Sequence, residues 1–308
     1  MRRPRPTAAV PAVVGAVLVA LAASAAGAAA QSRGPLFIVG GGERPPELMQ
    51  RFVDLAGGPD SARIVVIPMA SSSPAETGRG HAGQLRELGA EARSLVLDRQ
   101  RADGADAVRA VRRATGIWFP GGSQSRLADT LRSTAVLAAI RKRNREGAAV
   151  GGTSAGAAVM SDSMITGDQF RPDADTAGYY GDEFPRIARD YIVLDPGFGL
   201  LSGVVVDQHF LQRERHNRLI SVVLEHPRLL GVGIDESTAV IVRPDGSWEV
   251  AGRSTALVVD ARRSRVTPPG SGVLGAADVR VHVLPAGATF DPPSGEARLK
   301  RRSGGGTR

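Results

Sequence analysis

Residues 148–160 read AAVGGTSAGAAVM, and this stretch decides how the fold is interpreted. Its apolar start, 148–151, predicts a buried strand, and its end, 157–160, predicts the beginning of a helix. Between them lies a match to the pattern G-x-S-x-G, whose small residues allow a sharp strand-to-helix turn that exposes the serine. A glycine-rich turn with an incidental serine is the alternative. The strand-turn-helix setting favours Ser154 as a nucleophile, with the Ala155 N–H at the helix N-terminus as an oxyanion donor.

Strands and helices alternate on the N-terminal side of this turn. Apolar strands are predicted at 36–39, 64–67, 94–97 and 117–119, and helices at 46–56, 71–88, 105–114 and 126–145. Strands that are apolar throughout and separated by helices are buried on both faces, as in a parallel sheet. The remainder is richer in strands, predicted near 204–206, 230–234, 238–242, 248–250 and 256–259. The sequence therefore predicts an α/β fold with a mostly parallel sheet, flanking helices and a strand-rich C-terminal part.

The two ends of the chain differ from the body. Residues 1–30 have a short positive start, an uncharged Ala-rich run and the ending Ala28-Ala29-Ala30, the order typical of a secretory signal peptide. We therefore expect cleavage near Ala30/Gln31, a secreted or periplasmic protein and no stable membrane span afterwards. A retained anchor is the alternative, because the run is long enough to span a bilayer. Residues 31–291 are predicted to form one α/β domain, and 292–308 a basic disordered tail.

Composition excludes several classes of function. The formal net charge of +8 is concentrated in the two ends, which leaves the body nearly neutral, so we expect no nucleic-acid partner. The chain has no cysteine, which excludes disulfides, thiolate zinc sites and a cysteine nucleophile. Gly40-Gly41-Gly42 lacks the third glycine of a dinucleotide fingerprint, and no other cofactor or metal motif occurs. We expect neither a cofactor nor a metal.

A serine nucleophile needs a base at the carboxyl edge of the sheet, where open α/β folds bind ligands. His209 ends the predicted strand at 204–209 and is the preferred base. His81, His216 and His226 fall on predicted helices with charged neighbours and are expected on the surface. Glu236, directly after the strand at 230–234, can orient the base. The order Ser, His, Glu differs from that of α/β-hydrolases, whose order would instead select Ser154, Asp260 and His282.

A second glycine loop, Pro120-Gly-Gly-Ser-Gln124, follows the strand at 117–119. Its simplest interpretation is a strand-to-helix turn. Its functional interpretation is a second oxyanion donor, the Gly122 N–H, beside that of Ala155.

Four ordered motifs together resemble the cyanophycinase family of serine exopeptidases. They are Phe119-Pro-Gly-Gly-Ser-Gln124, Gly152-Thr-Ser-Ala-Gly-Ala157, Asp207-Gln-His-Phe210 followed by three arginines, and Gly233-Ile-Asp-Glu-Ser-Thr-Ala239. The resemblance covers about residues 36–260 and implies a class I glutamine-amidotransferase-like fold. It implies that Ser154, His209 and Glu236 are nucleophile, base and acid. It also implies a substrate pocket made of Gln124, Asp207, Gln208, Arg213, Arg215 and Arg218.

The family cuts multi-L-arginyl-poly-L-aspartate, called cyanophycin, into β-Asp-Arg dipeptides, so a peptide or cyanophycin is the implied substrate. The arginine spacing predicts that at most two of the three guanidiniums reach the pocket and that the third lies in solvent or pairs with Glu214. A dipeptidase or other acyl hydrolase of the same fold, or an inactive secreted peptide-binding protein, is the alternative. Nothing in the sequence decides between a monomer and a homodimer.

One departure from the family concerns the stretch between Met164 and Pro196. It is longer than the family's usual connection between nucleophile and base, and it contains Phe170, Phe184 and Tyr191 as well as the run 179–184 (YYGDEF). This aromatic and acidic segment is either a lid over the site or a surface insertion without function.

Overall fold

The computed structural model describes residues 33–300 except 171–177, 179–182 and 271–272. The predicted signal peptide, the run Tyr179–Asp182 and the last eight residues of the predicted tail lie outside the described residues. In the described part, no helix is both long and apolar enough to cross a membrane.

The N-terminal half contains the predicted alternation of strands and helices. Its strands are β1 Leu36–Val39, β2 Arg63–Val66, β3 Glu91–Ser94, β4 Gly116–Phe119 and β5 Ala149–Thr153. Its helices are α1 Pro46–Leu55, α2 Pro74–Glu87, α3 Ala105–Arg113, α4 Gln124–Leu131, α5 Ala135–Arg145 and α6 Ala155–Ala158. The five strands are parallel in the order β1-β5-β4-β2-β3, which confirms the predicted sheet.

The C-terminal half is rich in strands, as predicted. Its elements are β6 Ser163–Gln169, β7 Ile192–Pro196, β8 Val204–Gln208, α7 His216–Glu225, β9 Leu230–Ile234, β10 Thr238–Val242, β11 Trp248–Gly252, β12 Thr255–Asp260, β13 Arg265–Val266, β14 Ala276–Ala277, β15 Arg280–Pro285, β16 Thr289–Asp291 and β17 Glu296–Arg298. Strands β10, β11, β16 and β17 extend the parallel sheet beyond β1 with antiparallel pairs.

A second sheet, in the order β15-β12-β9-β8, carries two of the candidate site residues at its edge. Strands β8 and β9 are parallel, so their carboxyl ends, Gln208 and Ile234, lie side by side in register. The residues that follow these two strands therefore leave the sheet at the same edge. The pair β6 and β7 forms a separate antiparallel ribbon.

Apolar side chains fill both faces of the main sheet. Successive residues of β4 point to opposite faces, so Trp118 packs with Phe52 of α1 while Phe119 packs against Phe198 on the other side. All three residues of this strand from Ile117 to Phe119 are fully buried. The sheet is thus covered on both faces, as expected for parallel strands linked by helices.

Two element boundaries in the N-terminal half differ from prediction. The helix predicted over 126–145 is two helices, because Ser133 has φ of +61° and the Thr134 side chain accepts a hydrogen bond from the Leu137 N–H. The strand predicted at 94–97 lies at Glu91–Ser94. As an edge strand with exposed polar side chains, β3 lacks the continuous apolar run that marks the inner strands.

The predicted start of the tail at 292 is also wrong. Residues 289–298 form a β-hairpin, β16 and β17, at the edge of the main sheet. Phe290 is buried against Trp248 of β11 with ring centroids 5.5 Å apart. In sequence, the turn-forming residues 292–295 and the basic residues after them resemble a disordered tail. Pairing of β17 with β16, the strand that carries the buried Phe290, joins the segment to the sheet.

Candidate active site

Ser154 lies at the turn between β5 and α6 in a strained backbone conformation, with φ of 55° and ψ of −117°. Its N–H donates to the Val39 carbonyl at the end of β1, at 3.0 Å. The glycines of the motif are required by close packing: a Cβ atom on Gly152 would lie 2.4 Å from the Gly156 carbonyl oxygen, and one on Gly156 would lie 2.1 Å from that of Phe119. The turn therefore holds the hydroxyl above the carboxyl edge of the sheet, as in a nucleophile elbow.

His209 directly follows β8 and reaches Ser154 from the second sheet. Its N–H donates to the Gly40 carbonyl at 2.7 Å, and its φ is +49°. The imidazole Nε2 lies 2.8 Å from Ser154 Oγ, so the two side chains are in hydrogen-bond contact. The side chain of His209 is mostly buried, with 11% of its surface exposed.

Glu236 contacts the other nitrogen of the same imidazole. Its Oε1 lies 2.6 Å from His209 Nδ1. The adjacent Asp235 makes different contacts, because its carboxylate accepts hydrogen bonds from the N–H groups of Leu211 and Gln212 and from the Ser254 hydroxyl. Asp235 thus fixes the turn that carries His209, while Glu236 fixes the ring.

The glycine run after β1 packs directly against both side chains, which sequence reasoning missed. A Cβ atom on Gly41 would lie 2.3 Å from the His209 ring, and one on Gly42 would lie 2.7 Å from the Glu236 carboxylate. Both glycines have positive φ, 122° and 67°. These glycines allow the backbone to approach the His209–Glu236 pair closely. Their position after an inner strand, at the same edge of the sheet, was the signal in the sequence that could have indicated this contact.

The two predicted oxyanion donors border the serine. Ala155 N–H is at the start of α6, and the loop that carries Gly122 passes close by, since a Cβ atom on Gly121 would lie 3.3 Å from Ser154 Cβ. Gly122 has φ of +135° and lies against the Ala70 carbonyl, where only glycine fits. Neither the Ala155 nor the Gly122 N–H donates a hydrogen bond within the described chain. Both remain available to an incoming oxygen.

The electrostatic environment keeps His209 neutral near pH 7. Burial lowers the pKa of His209, the positive charges of Arg213 and Arg215 lower it further, and the hydrogen bond and charge of Glu236 oppose this by raising it. The net direction is downward from the ordinary value of 6.5. A neutral imidazole that touches a serine hydroxyl can accept its proton.

The six predicted pocket residues divide into two groups. Asp207, Gln208, Arg215 and Arg218 are buried and bonded to one another: Arg218 binds both oxygens of Asp207, and Arg215 Nη1 donates to the Gln208 side chain at 2.6 Å. Gln124 is also buried, and its amide donates to the Ile165 and Thr166 carbonyls of β6. These five residues support the walls of the site from within.

Arg213 is the exposed member of the three arginines. That at most two of the three guanidiniums reach the pocket stays a prediction: the third, Arg213, is exposed, and the two buried ones, Arg215 and Arg218, bind Gln208 and Asp207 inside the protein. Arg213 follows His209 closely in the chain and acts on it through its charge.

The alternative set of Ser154, Asp260 and His282 is not brought together. Asp260 pairs in register with Leu230, at the opposite end of β9 from the site, and its carboxylate is bound by Arg262 at 2.8 Å. His282 lies on β15, and its ring packs on Phe290 with centroids 5.2 Å apart.

His81 was expected on the surface, and that expectation is wrong. Its Nδ1 accepts a hydrogen bond from the Trp118 Nε1–H at 2.9 Å. Burial, followed by the positive charge of Arg44, lowers the pKa of His81 to about 4. Periodicity placed the residue on α2 without showing which face of the helix meets the sheet.

The fold and this arrangement of side chains are those of a serine-type hydrolase of the α/β class. The family model for peptidase family S51 matches residues 36–249, and the chain belongs to that family of serine-type peptidases. Two curated relatives are a cyanophycinase of Geminocystis herdmanii, 35% identical over 84% of this chain and 94% of its own, and a cyanophycinase of Synechococcus elongatus, 38% identical over 75% and 69%.

Solved structures agree with this assignment. A peptidase from an acI-B1 actinobacterium superposes with a TM-score of 0.60 at 26% identity, covering 84% of this chain and 97% of that one. A protein described as a putative peptidase E from Listeria monocytogenes has a TM-score of 0.50 at 16% identity, over 72% and 100%, and supports the fold alone.

Replacing Arg213 by Gln is expected to raise the pH at which activity appears. The positive charge of Arg213 lowers the pKa of His209, so its removal favours the protonated, inactive imidazole and moves the acid limb of the kcat/KM profile to higher pH. The shift is measured from the pH dependence of kcat/KM in wild type and variant. The control is Arg228→Gln, which changes an exposed arginine beyond α7. An acid limb that stays in place would show that Arg213 does not act on His209.

Proposed function

We propose that this chain is an exported serine exopeptidase that hydrolyses cyanophycin-like multi-L-arginyl-poly-L-aspartate to β-Asp-Arg dipeptides. The observation that carries the proposal is the continuous hydrogen-bonded chain from Ser154 Oγ through His209 to Glu236, with contacts of 2.8 and 2.6 Å. It occurs in a member of family S51 whose relatives include cyanophycinases.

In the proposed acylation step, Ser154 Oγ attacks the carbonyl carbon of the scissile amide while His209 Nε2 accepts the hydroxyl proton. Glu236 accepts a hydrogen bond from His209 Nδ1–H, which holds the tautomer with a free Nε2 and stabilises the imidazolium that forms. The negative charge that develops on the carbonyl oxygen is bound by the Ala155 and Gly122 N–H groups. The imidazolium then gives its proton to the departing amine.

Deacylation uses the same groups in the reverse direction. His209 accepts a proton from water as the water oxygen attacks the ester carbonyl, and the proton returns to Ser154 Oγ as the acid product leaves. The buried Asp207–Arg218 pair lies close to the base and holds the end of β8 in place during both steps.

The chemistry of the polymer defines which bond breaks. The product β-Asp-Arg keeps the bond between the aspartate side chain and arginine, so the bond cut is the backbone amide between consecutive aspartates. Every unit next to that amide has a guanidinium and a free arginine carboxylate. A site for this polymer therefore needs charged groups near the serine, and Arg213 is one such group.

The decisive experiment is product analysis on purified cyanophycin. Wild type is expected to release β-Asp-Arg, and Ser154→Ala is the control for contaminating activity. A peptide of the same composition with α-linked arginine should be a poor substrate, by about 10²-fold or more in kcat/KM, because a wrong linkage leaves charged groups of the site unpaired. Equal rates on both isomers would indicate a general acyl hydrolase, and no hydrolysis of either would overturn the proposal.

Export is the second part of the proposal and rests on the signal-like residues 1–30. We place the start of the mature peptidase domain near Gln31. Sequencing the N-terminus of protein recovered from the cell envelope or the medium tests this, and recovery of a chain that still starts at Met1 would contradict it.

A further inference from the structure

A cleft lined by arginines lies at the amino-terminal edge of the main sheet, opposite the edge that carries Ser154. Its volume is about 470 Å³, which is in the range of small-molecule binding sites. It lies where β2 and β3 begin and where α3 ends. We call it the arginine cleft, and its charged lining residues are Arg63, Glu91, Arg93, Arg112, Arg113 and Arg143.

The strand register explains why several of these side chains meet. Arg63 pairs with Glu91, and Val65 pairs with Arg93. Side chains two residues apart along a strand point to the same face of the sheet, so all four lie on one face. This is the face that α3 covers, since Val65 and Val111 of that helix belong to one buried cluster. The cleft is therefore bounded by the starts of two strands and the end of one helix.

Two of the five arginines bind the carbonyl groups at the end of α3. Arg63 Nε donates to the Arg113 carbonyl at 3.2 Å. Arg143 Nε and Nη2 donate to the Ala114 carbonyl at 3.2 and 2.9 Å. Carbonyl oxygens at a helix C-terminus disfavour a nearby anion. Because guanidinium groups cover these two oxygens, that repulsion is reduced in the cleft.

The positive charge of the cleft is not balanced by carboxylates of the described residues. Arg143 pairs with Glu146 at 2.9 Å. In the part of the chain that the structure describes, the other four arginines have no carboxylate oxygen within 4.0 Å, although Glu91 lines the same cleft. Elsewhere an exposed arginine such as Arg243 binds a carboxylate, that of Glu249, at 2.6 Å. Like charges around one cavity repel one another, and a bound anion would offset this repulsion.

Arg93 and Arg112 are the side chains best placed to bind such an anion. Both are exposed, both line the cleft, and neither side chain makes a hydrogen bond or an ion pair with another described residue. A guanidinium presents a planar fork of N–H donors that matches the oxygens of a phosphate group. The cleft thus offers several such forks to one ligand.

We propose that the arginine cleft binds an anion that carries two or more phosphate groups. Five arginines against one glutamate favour a ligand with several negative charges, and the volume accommodates more than a single phosphate group. The inference goes beyond the proposed function and does not depend on it, because the cleft and Ser154 lie at opposite edges of the sheet.

Isothermal titration calorimetry with inorganic pyrophosphate, at constant ionic strength, tests the proposal. Wild type should bind one equivalent in a saturable way. Arg93→Gln and Arg112→Gln should each weaken binding by about 10- to 100-fold, because each removes a charge-assisted contact. Arg228→Gln removes the same charge from an exposed position beyond α7 and should leave the Kd unchanged.

A variant with the opposite expected effect is Glu91→Gln. It removes the negative charge from the cleft lining and should tighten pyrophosphate binding by about fivefold. Since Arg93, Arg112 and Glu91 are exposed, all three variants should melt at the wild-type temperature when no ligand is present.

Three results would contradict the proposal. They are no saturable binding by wild type at millimolar pyrophosphate, an equal effect of Arg93→Gln, Arg112→Gln and Arg228→Gln, and weaker binding by Glu91→Gln. Citrate, which has several carboxylates and no phosphate, is titrated in parallel. Citrate binding as tight as that of pyrophosphate would overturn the assignment of phosphate as the ligand chemistry.

Discussion

Replacing Ser154 by Ala is expected to lower kcat by at least about 10⁴-fold while the protein stays folded. The serine hydroxyl is the only group in the proposed mechanism that forms a bond to the substrate, and Ala removes that atom without adding volume to the elbow. His209→Ala should cause a loss of similar size. Turnover of the β-Asp-Arg dimer, with melting temperature measured in parallel, checks both variants.

The double variant Ser154→Ala/His209→Ala should be no slower than the worse single variant. The two side chains touch at 2.8 Å and act as one unit, so removing the second leaves nothing further to lose. His282→Ala, at the histidine far from the site, is the control and should retain activity. An inactive His282→Ala with an active His209→Ala would contradict the assignment of the base.

Replacing Asp207 by Ala is expected to lower the free energy of unfolding by about 3–5 kcal/mol, because it leaves a buried guanidinium without its counter-ion. Asp207 is 0% exposed and Arg218 is 1% exposed, with the Phe184 ring stacked over the guanidinium at 4.8 Å. Urea unfolding of wild type and variant measures the difference.

Asp260→Ala is the matched control for this effect. Asp260 is nearly as buried, but the side chain of its partner Arg262 is 29% exposed, so water can solvate the arginine that remains. Asp260→Ala should therefore lower the free energy of unfolding by a clearly smaller amount than Asp207→Ala. The double variant Asp207→Leu/Arg218→Met, which removes both charges, should recover much of the stability. If Asp207→Ala cost no more than Asp260→Ala, the pair would not support the site.

The parallel half of the fold was predictable because its strands are buried on both faces. Strands such as Ile117–Phe119 must be apolar throughout, and such an apolar run can be recognised in the sequence alone. The edge strands β3 and β17 were misplaced because an edge has a solvent face and few apolar positions. Whether such a segment is a loop, a tail or a strand depends on the neighbour that it pairs with.

The candidate site was predictable to different degrees. Ser154 is marked by a local motif, since the elbow and its glycines lie within five residues. His209 and Glu236 were predicted from position, because the carboxyl ends of two parallel strands meet at one edge. Three features depend on how separate elements pack, and no local sequence pattern indicates them. They are the contact of Gly41 and Gly42 with these side chains, the Asp207–Arg218 pair and the inward orientation of His81.

The sequence by itself determined the alternation of strands and helices, the strained turn at Ser154 and the order in which nucleophile, base and acid occur. These features depend on residues a few positions apart, where backbone sterics and side-chain periodicity act directly. Only the tertiary structure decided which charges are buried. It buried Arg218 against Asp207 and left Arg213 exposed, because the energy of a charge depends on its partners and its exposure to water.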